Sequence, residues 1–200
     1  AAPSTFAQQY IVPALPEFLA TYPDLKLDLR LSDTEFDLIE GRFDLALRNS
    51  VPEDSSLKGR KLADDRRVLC ASPDYLRLHG TPRTPAALSA HKLIAFKSSR
   101  PRPLVGPGGE AAEFDPSQSE GQLIIDDGLS LKVATLAGAG ISLNALWNVH
   151  RKLSDGRLVR VLPDFEGTEG TLLWLVYPKS NVLSPKVRVF MDFLTSVIGR

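Results

Sequence analysis

An α/β fold is predicted by three features of this 200-residue chain. Segments with strand and helix patterns alternate along nearly its whole length, which favours sheets covered by helices. The stretch Phe43 to Ser50 (FDLALRNS) holds a continuous apolar run, Leu45, Ala46 and Leu47, that suits a parallel strand covered on both faces. Just before it, Ser32 to Glu40 has a helix signature, with Ser32 as N-cap, Glu35 as its capping-box partner and Gly41 as the stop. A helix therefore feeds that strand, and Arg48, Asn49 and Ser50 fall at its carboxyl end, where ligands gather in open α/β sheets. Arg48 reads equally as a ligand contact and as a solvated strand-end residue.

The elements follow in order. Ser4 and Thr5 can cap a helix that runs through Phe6, Tyr10 and Ile11, is interrupted or kinked at Pro13 and resumes through Leu15, Phe18, Leu19 and Tyr22. Its first N–H groups make a small positive pole, which suits an anion or a plain N-cap. Leu25 to Leu31 (LKLDLRL) alternates strictly, so a strand at or near a sheet edge is expected, either as a partner surface or as a solvated edge. Ser56 to Leu62 and Arg66 to Ala71 read as strands around a turn at Asp64 and Asp65. Ser72-Pro73, Thr84-Pro85 and Ser184-Pro185 each put a capping hydroxyl before a first-turn proline, marking two short helices and a long terminal one.

Between these, Leu93 to Lys97 (LIAFK) is a second buried-type strand ending in polar residues. RPRPLVGPGGEAAEF reads as a surface loop and hairpin. Gly121 to Asp126 is a strand, Asp126 or Asp127 caps the next helix, and GISLNALWNVHRKL repeats strand and helix with Asn144 as the expected cap. RLVRVLP and TLLWLVYP supply two further strands.

Composition narrows the function. The hydrophobic share is 43% and the charged share 24%, values of an ordinary globular chain long enough for one large domain or two lobes. With 24 basic and 24 acidic side chains the net charge is zero, so there is no global field to hold nucleic acid phosphates. No apolar run approaches the roughly 20 residues that span a bilayer. The single cysteine, Cys70, excludes an internal disulfide, fits a reducing cytosol and reads as a small core residue. The three histidines, His79, His91 and His150, lie away from the strand tips. There is no HExxH or CxxC spacing, no GxSxG elbow, and GPGG and GAGIS lack the spacing of phosphate or dinucleotide loops. No catalytic constellation, metal site or cofactor is expected. Strand tips and helix starts that offer hydroxyls, amides and single cations point to binding chemistry.

The order of PSTFAQQYIVPALPEFLATYPDLKLDLRLSD, FDLALRNS, RRVLCASPDYLRLHGTPRTPAAL, LAGAGISL and DGRLVRVLPDF resembles the effector-binding domain of LysR-type transcriptional regulators, over nearly the whole chain. LLWLVYPKSNVLSPKVRVFMDFL resembles that family's C-terminal end. The resemblance implies a two-lobed fold like the type II periplasmic binding proteins, with two crossover strands. Lobe I would span residues 1–70 and 178–200, and lobe II residues 71–177. A winged helix-turn-helix and a linker helix precede this domain in the family. AAPSTF enters a helix with no strand before it, so the chain is expected to begin after, or within the end of, the family's first strand. A processed leader is the alternative.

The family's effector sites imply ligand contacts at Ser4 and Thr5, Asp33, and Phe96, Lys97 and Ser98, with Arg48 and Asn49 on the same rim and Asp127 and Asn144 as further additions. SLNALW departs from the family, whose similar members often carry a proline and then a tryptophan after the GIS-like strand. The family also implies a homodimer, a tetramer at full length, DNA contact only through the missing N-terminal domain, and a cytoplasmic, non-enzymatic, membrane-free role. A small effector, expected to be anionic, would bind in the interlobe cleft and modulate transcription. A periplasmic solute-binding protein of the same fold is the alternative.

Overall fold

A computed structural model describes residues 1–33, 43–49, 56–119, 123–169, 172–179 and 184–198. It divides into two units: Ala1–Asp64 with Leu172–Arg200, and Asp65–Thr171. The chain passes between them six residues earlier, at each crossing, than the boundaries expected at residues 70 and 177. The reason is strand pairing. Strand β3 (Arg67–Ala71) pairs entirely within the second unit, whereas β11 (Leu172–Pro178) pairs entirely within the first.

The first unit begins with one helical stretch whose winding changes along its length. α1 (Ser4–Phe6) leads into a π-type segment, Ala7–Ile11, and a 3-10 segment, Val12–Ala14, before α2 (Leu15–Thr21). Pro13 lacks an N–H and its ring crowds the carbonyl four residues back, so the helix rewinds there without ending. Phe6, Ala7, Ile11 and Phe18 form its buried side. Phe18 meets Phe190 and Phe193 of α6 (Pro185–Ile198), with ring centroids 5.1 and 4.8 Å apart.

The sheet of this unit runs β1 (Ala46–Arg48), β11, β2 (Leu57–Asp64). β1 was expected to be parallel to its neighbours, but its ladder with β11 is antiparallel, Leu47 lying opposite Leu175. Among the described residues its other side meets Ala1, in a parallel pattern: the Ala1 amine donates to the Leu45 carbonyl at 2.8 Å and the Leu47 N–H to the Ala1 carbonyl at 2.9 Å. The expected strand Leu25–Leu31 forms no ladder among the described residues, since a strand needs a partner and among those residues its bridge is the parallel one from Ala2 to Leu31. The helix expected from Ser32 to Glu40 lies largely outside the described residues, as do Ser50 and most of the following polar loop.

The second unit carries an eight-stranded sheet among the described residues, in the order β6 (Ala111–Phe114), β5 (Arg102–Val105), β10 (Glu166–Gly167), β3, β8 (Ile141–Ala145), β4 (Leu93–Phe96) and β7 (Leu123–Ile125); β9 (Val159–Arg160) joins β3 off this path. β4 is parallel to both β8 and β7. β5 and β6 form the expected hairpin, closed by Pro107–Gly109.

β3 is buried along most of its length, and one face of the sheet packs Leu69, Leu93, Ile141 and Val161 with α3 (Pro73–His79). The other face packs Val68, Cys70, Val149 and Leu158. Among the described residues this unit also carries α4 (Gly128–Leu136) and α5 (Leu146–Ser154). Gly140 lets β8 start against β4: a Cβ there would lie 2.3 Å from the Lys92 carbonyl oxygen, at φ +156.

Ser72 caps α3 as expected, accepting from the Tyr75 N–H at 3.2 Å, but Thr84 makes no side-chain cap on the 3-10 segment Pro85–Ala90. The expected Asn144 cap of α5 does not form. Asn144 is the fourth residue of β8, opposite Val68, and Ala145 occupies the cap position.

Candidate functional site

In the first unit the parallel contacts of Ala1 and Ala2 bring the start of the helical stretch, the end of the 25–31 segment and the carboxyl end of β1 to one place. Thr5 is buried, and both of its donors go to Asp33, 28 residues away in the chain. Its hydroxyl donates to Asp33 Oδ2 at 2.9 Å and its N–H to Asp33 Oδ1 at 3.3 Å. No side chain of its own segment caps α1, so Asp33 supplies the acceptor that the helix start lacks locally. The positive pole read from the sequence therefore already faces a carboxylate. Ser4, Asp33, Arg48 and Asn49 are all half-buried at this end of the unit.

In the second unit the carboxyl ends of the parallel pair β4 and β7 carry Phe96, Lys97 and Ser98 on one side and Asp127 on the other. Lys97 adopts φ 65, a left-handed conformation unusual for a residue with a Cβ, while its N–H donates to the Ile125 carbonyl at 2.8 Å. Its ammonium lies 5.4 Å from the Phe96 ring centre and remains exposed. Asp127 caps α4, accepting from the Ser130 N–H at 2.6 Å.

Asn144 lies at the level of Phe96 across the β8–β4 pairing, but its amide points into the sheet. It donates to Ser142 Oγ at 2.6 Å and to Cys70 Sγ at 3.6 Å, and Ser142 in turn shares a 2.6 Å hydrogen bond with Thr135. This is a closed, buried polar cluster. Burial pushes the Cys70 thiol up to about 12, which removes it as a nucleophile.

Several ionic clusters escaped the sequence reading, among them those around Glu169 and Asp65. Glu169 accepts from Arg100 at 2.8 Å and Arg102 at 3.0 Å, and the Arg100 guanidinium, aided by Arg102, holds its carboxyl below the usual range. Asp65 is fully buried and accepts from Trp147 Nε1 and from Arg67, both at 2.7 Å. The DDRR run held the acid and base of the second cluster, yet it looked like a turn, since its Trp147 partner comes 82 residues later. Among the described residues no group of three histidine, cysteine or acidic side chains is placed to hold a metal ion. No helix among them is long and apolar enough to cross a membrane.

The chain matches the family described as the LysR substrate binding domain over residues 1–199. It belongs to that family. LysR-type relatives confirm the assignment at moderate identity. The chain is 30% identical over 191 residues to the transcriptional activator TtdR of Escherichia coli (strain 536), covering 96% of this chain and 61% of that protein. Among solved structures it resembles the full-length virulence activator AphB of Vibrio cholerae, a member of the LTTR family, at TM-score 0.82 and 28% identity, covering 98% of this chain and 66% of that one. It also resembles the regulatory domain of CrgA, a LysR-type regulator from Neisseria meningitidis, at TM-score 0.81 and 27% identity, with 99% and 96% covered.

This LysR-type domain thus spans about three-fifths of the length of the curated regulators it matches. Its mixed α/β architecture is the periplasmic-binding-protein-like fold of those regulatory domains. The family and fold implied by the segment order both hold.

Proposed function

We propose that this domain is the effector-sensing and oligomerisation part of a bacterial LysR-type transcription regulator, acts in the cytoplasm and catalyses no reaction. The observation that carries this is the match to the LysR substrate binding domain along residues 1–199, shared with relatives that are transcriptional regulators. Those relatives also favour a regulator over a periplasmic solute-binding protein. DNA contact belongs to a separate N-terminal domain, in keeping with the zero net charge of this chain.

The effector is a small anion. Ser4, Thr5, Asp33, Arg48 and Asn49 contact it from the first unit, and Phe96, Lys97, Ser98 and Asp127 from the second. Asp33 yields the Thr5 donors to the incoming anion, while Arg48 and Lys97 balance its charge. Asn144 acts indirectly, by holding β8 in place. By its differential affinity the ligand favours one arrangement of a homodimer, or of a tetramer at full length, and so alters DNA geometry.

The test is a thermal-shift titration of the domain against small organic acids, with Ser4→Ala and Arg48→Ala beside the parent. One acid should raise Tm in a concentration-dependent way, and at least one variant should lose the shift. A shift with amines or polyols and none with acids would overturn the anionic reading. An acid that shifts all three proteins alike would overturn the residue assignment.

A further inference from the structure

The loop from Lys97 to Pro101 leaves β4 at the tip proposed to contact the effector, and its shape is held from outside those contact residues. Lys97 has φ 65, a conformation that a residue with a Cβ keeps only where its surroundings hold it. One restraint is the bond from the Lys97 N–H to the Ile125 carbonyl at 2.8 Å. The others are ionic. Arg102, the first residue of β5, donates from Nη2 to the Phe96 carbonyl at 3.3 Å and from Nη1 to Glu169 Oε2 at 3.0 Å. Arg100, inside the loop, donates to both oxygens of the same carboxylate, at 3.2 Å to Oε1 and 2.8 Å to Oε2. One carboxylate thus staples the loop and its far end, and one guanidinium carries that hold to the carbonyl of Phe96.

The strand register puts Glu169 there. β10 pairs with β5 through Glu166 opposite Val105 and Gly167 opposite Leu104, and the Thr168 N–H donates to the Pro103 carbonyl at 3.2 Å. The next residue, Glu169, falls beside Arg102, so opposite charges meet across the two strands. The cluster is poorly suited to holding the fold together. The Arg100 and Glu169 side chains are 55% and 39% exposed, and water screens such pairs, so they add little stability. Arg102 is better shielded, at 23%, and it is the member that reaches Phe96. Glu169 also lies two residues before Thr171, the end of the second unit, so the tip is fixed from the segment by which the chain leaves this unit.

We propose that Arg102 and Glu169 are positioning residues for the effector contact: Arg102 sets the Phe96 carbonyl, and with it the aim of Lys97 and Ser98, while Glu169 sets Arg102. This rests on the reading that Phe96, Lys97 and Ser98 contact the effector. A lysine at position 102 keeps the charge beside Glu169 but has a single nitrogen for the two acceptors that Arg102 serves from two. A glutamine at position 169 keeps the size and loses the charge that orders both arginines.

Two measurements test this. Magnetic resonance of the domain follows the Phe96 carbonyl carbon shift and amide exchange at Lys97, in the parent, Arg102→Ala, Arg102→Lys and Glu169→Gln. Each variant should move the Phe96 carbonyl upfield, as loss of a donor does. Arg102→Ala and Glu169→Gln should also speed exchange at Lys97 on the order of tenfold, while the buried Leu69 and Ile94 exchange as in the parent. Unchanged values at Phe96 and Lys97 overturn the proposal, and so does faster exchange throughout the unit, which marks a purely structural role. In the second measurement Tm is titrated with acetate, succinate and citrate. The variants should need on the order of tenfold more of whichever acid stabilises the parent. An equal requirement despite a loosened tip overturns the positioning role. A parent that none of these acids stabilises counts against the anionic effector reading alone, and the exchange comparison then decides whether Arg102 and Glu169 set the tip.

Discussion

Trp147 Nε1 donates to Asp65 Oδ1 at 2.7 Å, tying α5 to the first residue of the second unit. Arg67 holds the other carboxylate oxygen at the same distance, so a fully buried acid has both oxygens satisfied just where the chain enters this unit.

Removing that acid leaves a guanidinium and an indole N–H without their partner. Asp65→Ala should destabilise the second unit by about 3–5 kcal/mol, and Trp147→Phe by about 1–3 kcal/mol, because it orphans only one oxygen. The chain has two tryptophans, Trp147 in the second unit and Trp174 in the first. Urea unfolding followed by the fluorescence of each, in single-tryptophan backgrounds, reads the Asp65→Ala loss unit by unit. Equal loss in both units would contradict the assignment.

Asn144 and Asp127 were both expected at the ligand, but they differ in what they hold. Asn144→Ala removes the donor to Ser142 and Cys70 inside the sheet and should cost about 1–3 kcal/mol. Asp127→Ala removes a helix cap and should cost about 1 kcal/mol. Denaturation midpoints measured beside effector affinity separate the roles: Asn144→Ala should lower stability far more than the affinity of the folded protein.

The N-terminal amine provides a pH signature. Its folded pKa is about 6, below the usual 8.0 of a chain-terminal amine, mainly through burial and against the opposing pull of Asp28 and Asp44. Between these values the unfolded chain binds more protons, so stability rises with pH from about 6 to 8 and falls as pH drops through that window. Acetylation of Ala1 removes the group, and the slope of Tm against pH in this range should flatten. An unchanged slope would assign it to another group.

Cys70 should be inert in the native protein. Its thiol is fully buried and its pKa is pushed up to about 12, so almost no thiolate exists at pH 8. A thiol reagent such as Ellman's should modify it only as fast as the protein unfolds, and completely in denaturant. Rapid native modification would show that β3 and β8 open readily.

The segment order carried much of this protein. Ser72 before Pro73, Asp127 before α4 and the apolar run at Leu93 to Phe96 each announce an element through neighbours a few residues away, and each formed as read. Capping and helix periodicity depend on contacts within a turn or two, so a linear reading reaches them. The same locality, repeated in a family-specific order, made the LysR-type domain legible from its sequence.

Tertiary structure decided which groups meet. Leu25 to Leu31 has the alternation of a strand, yet a ladder also requires a partner, and among the described residues Ala2 alone bridges to it. Asn144 looked like a cap because it precedes an apolar helix. The register of β8 against β3 instead turned it into the sheet toward Cys70, 74 residues away. Thr5 marked a helix start, but nothing near it predicted that Asp33 would take both of its donors. Hydrogen bonds across such separations depend on loop closure and strand register, which no short window of sequence contains.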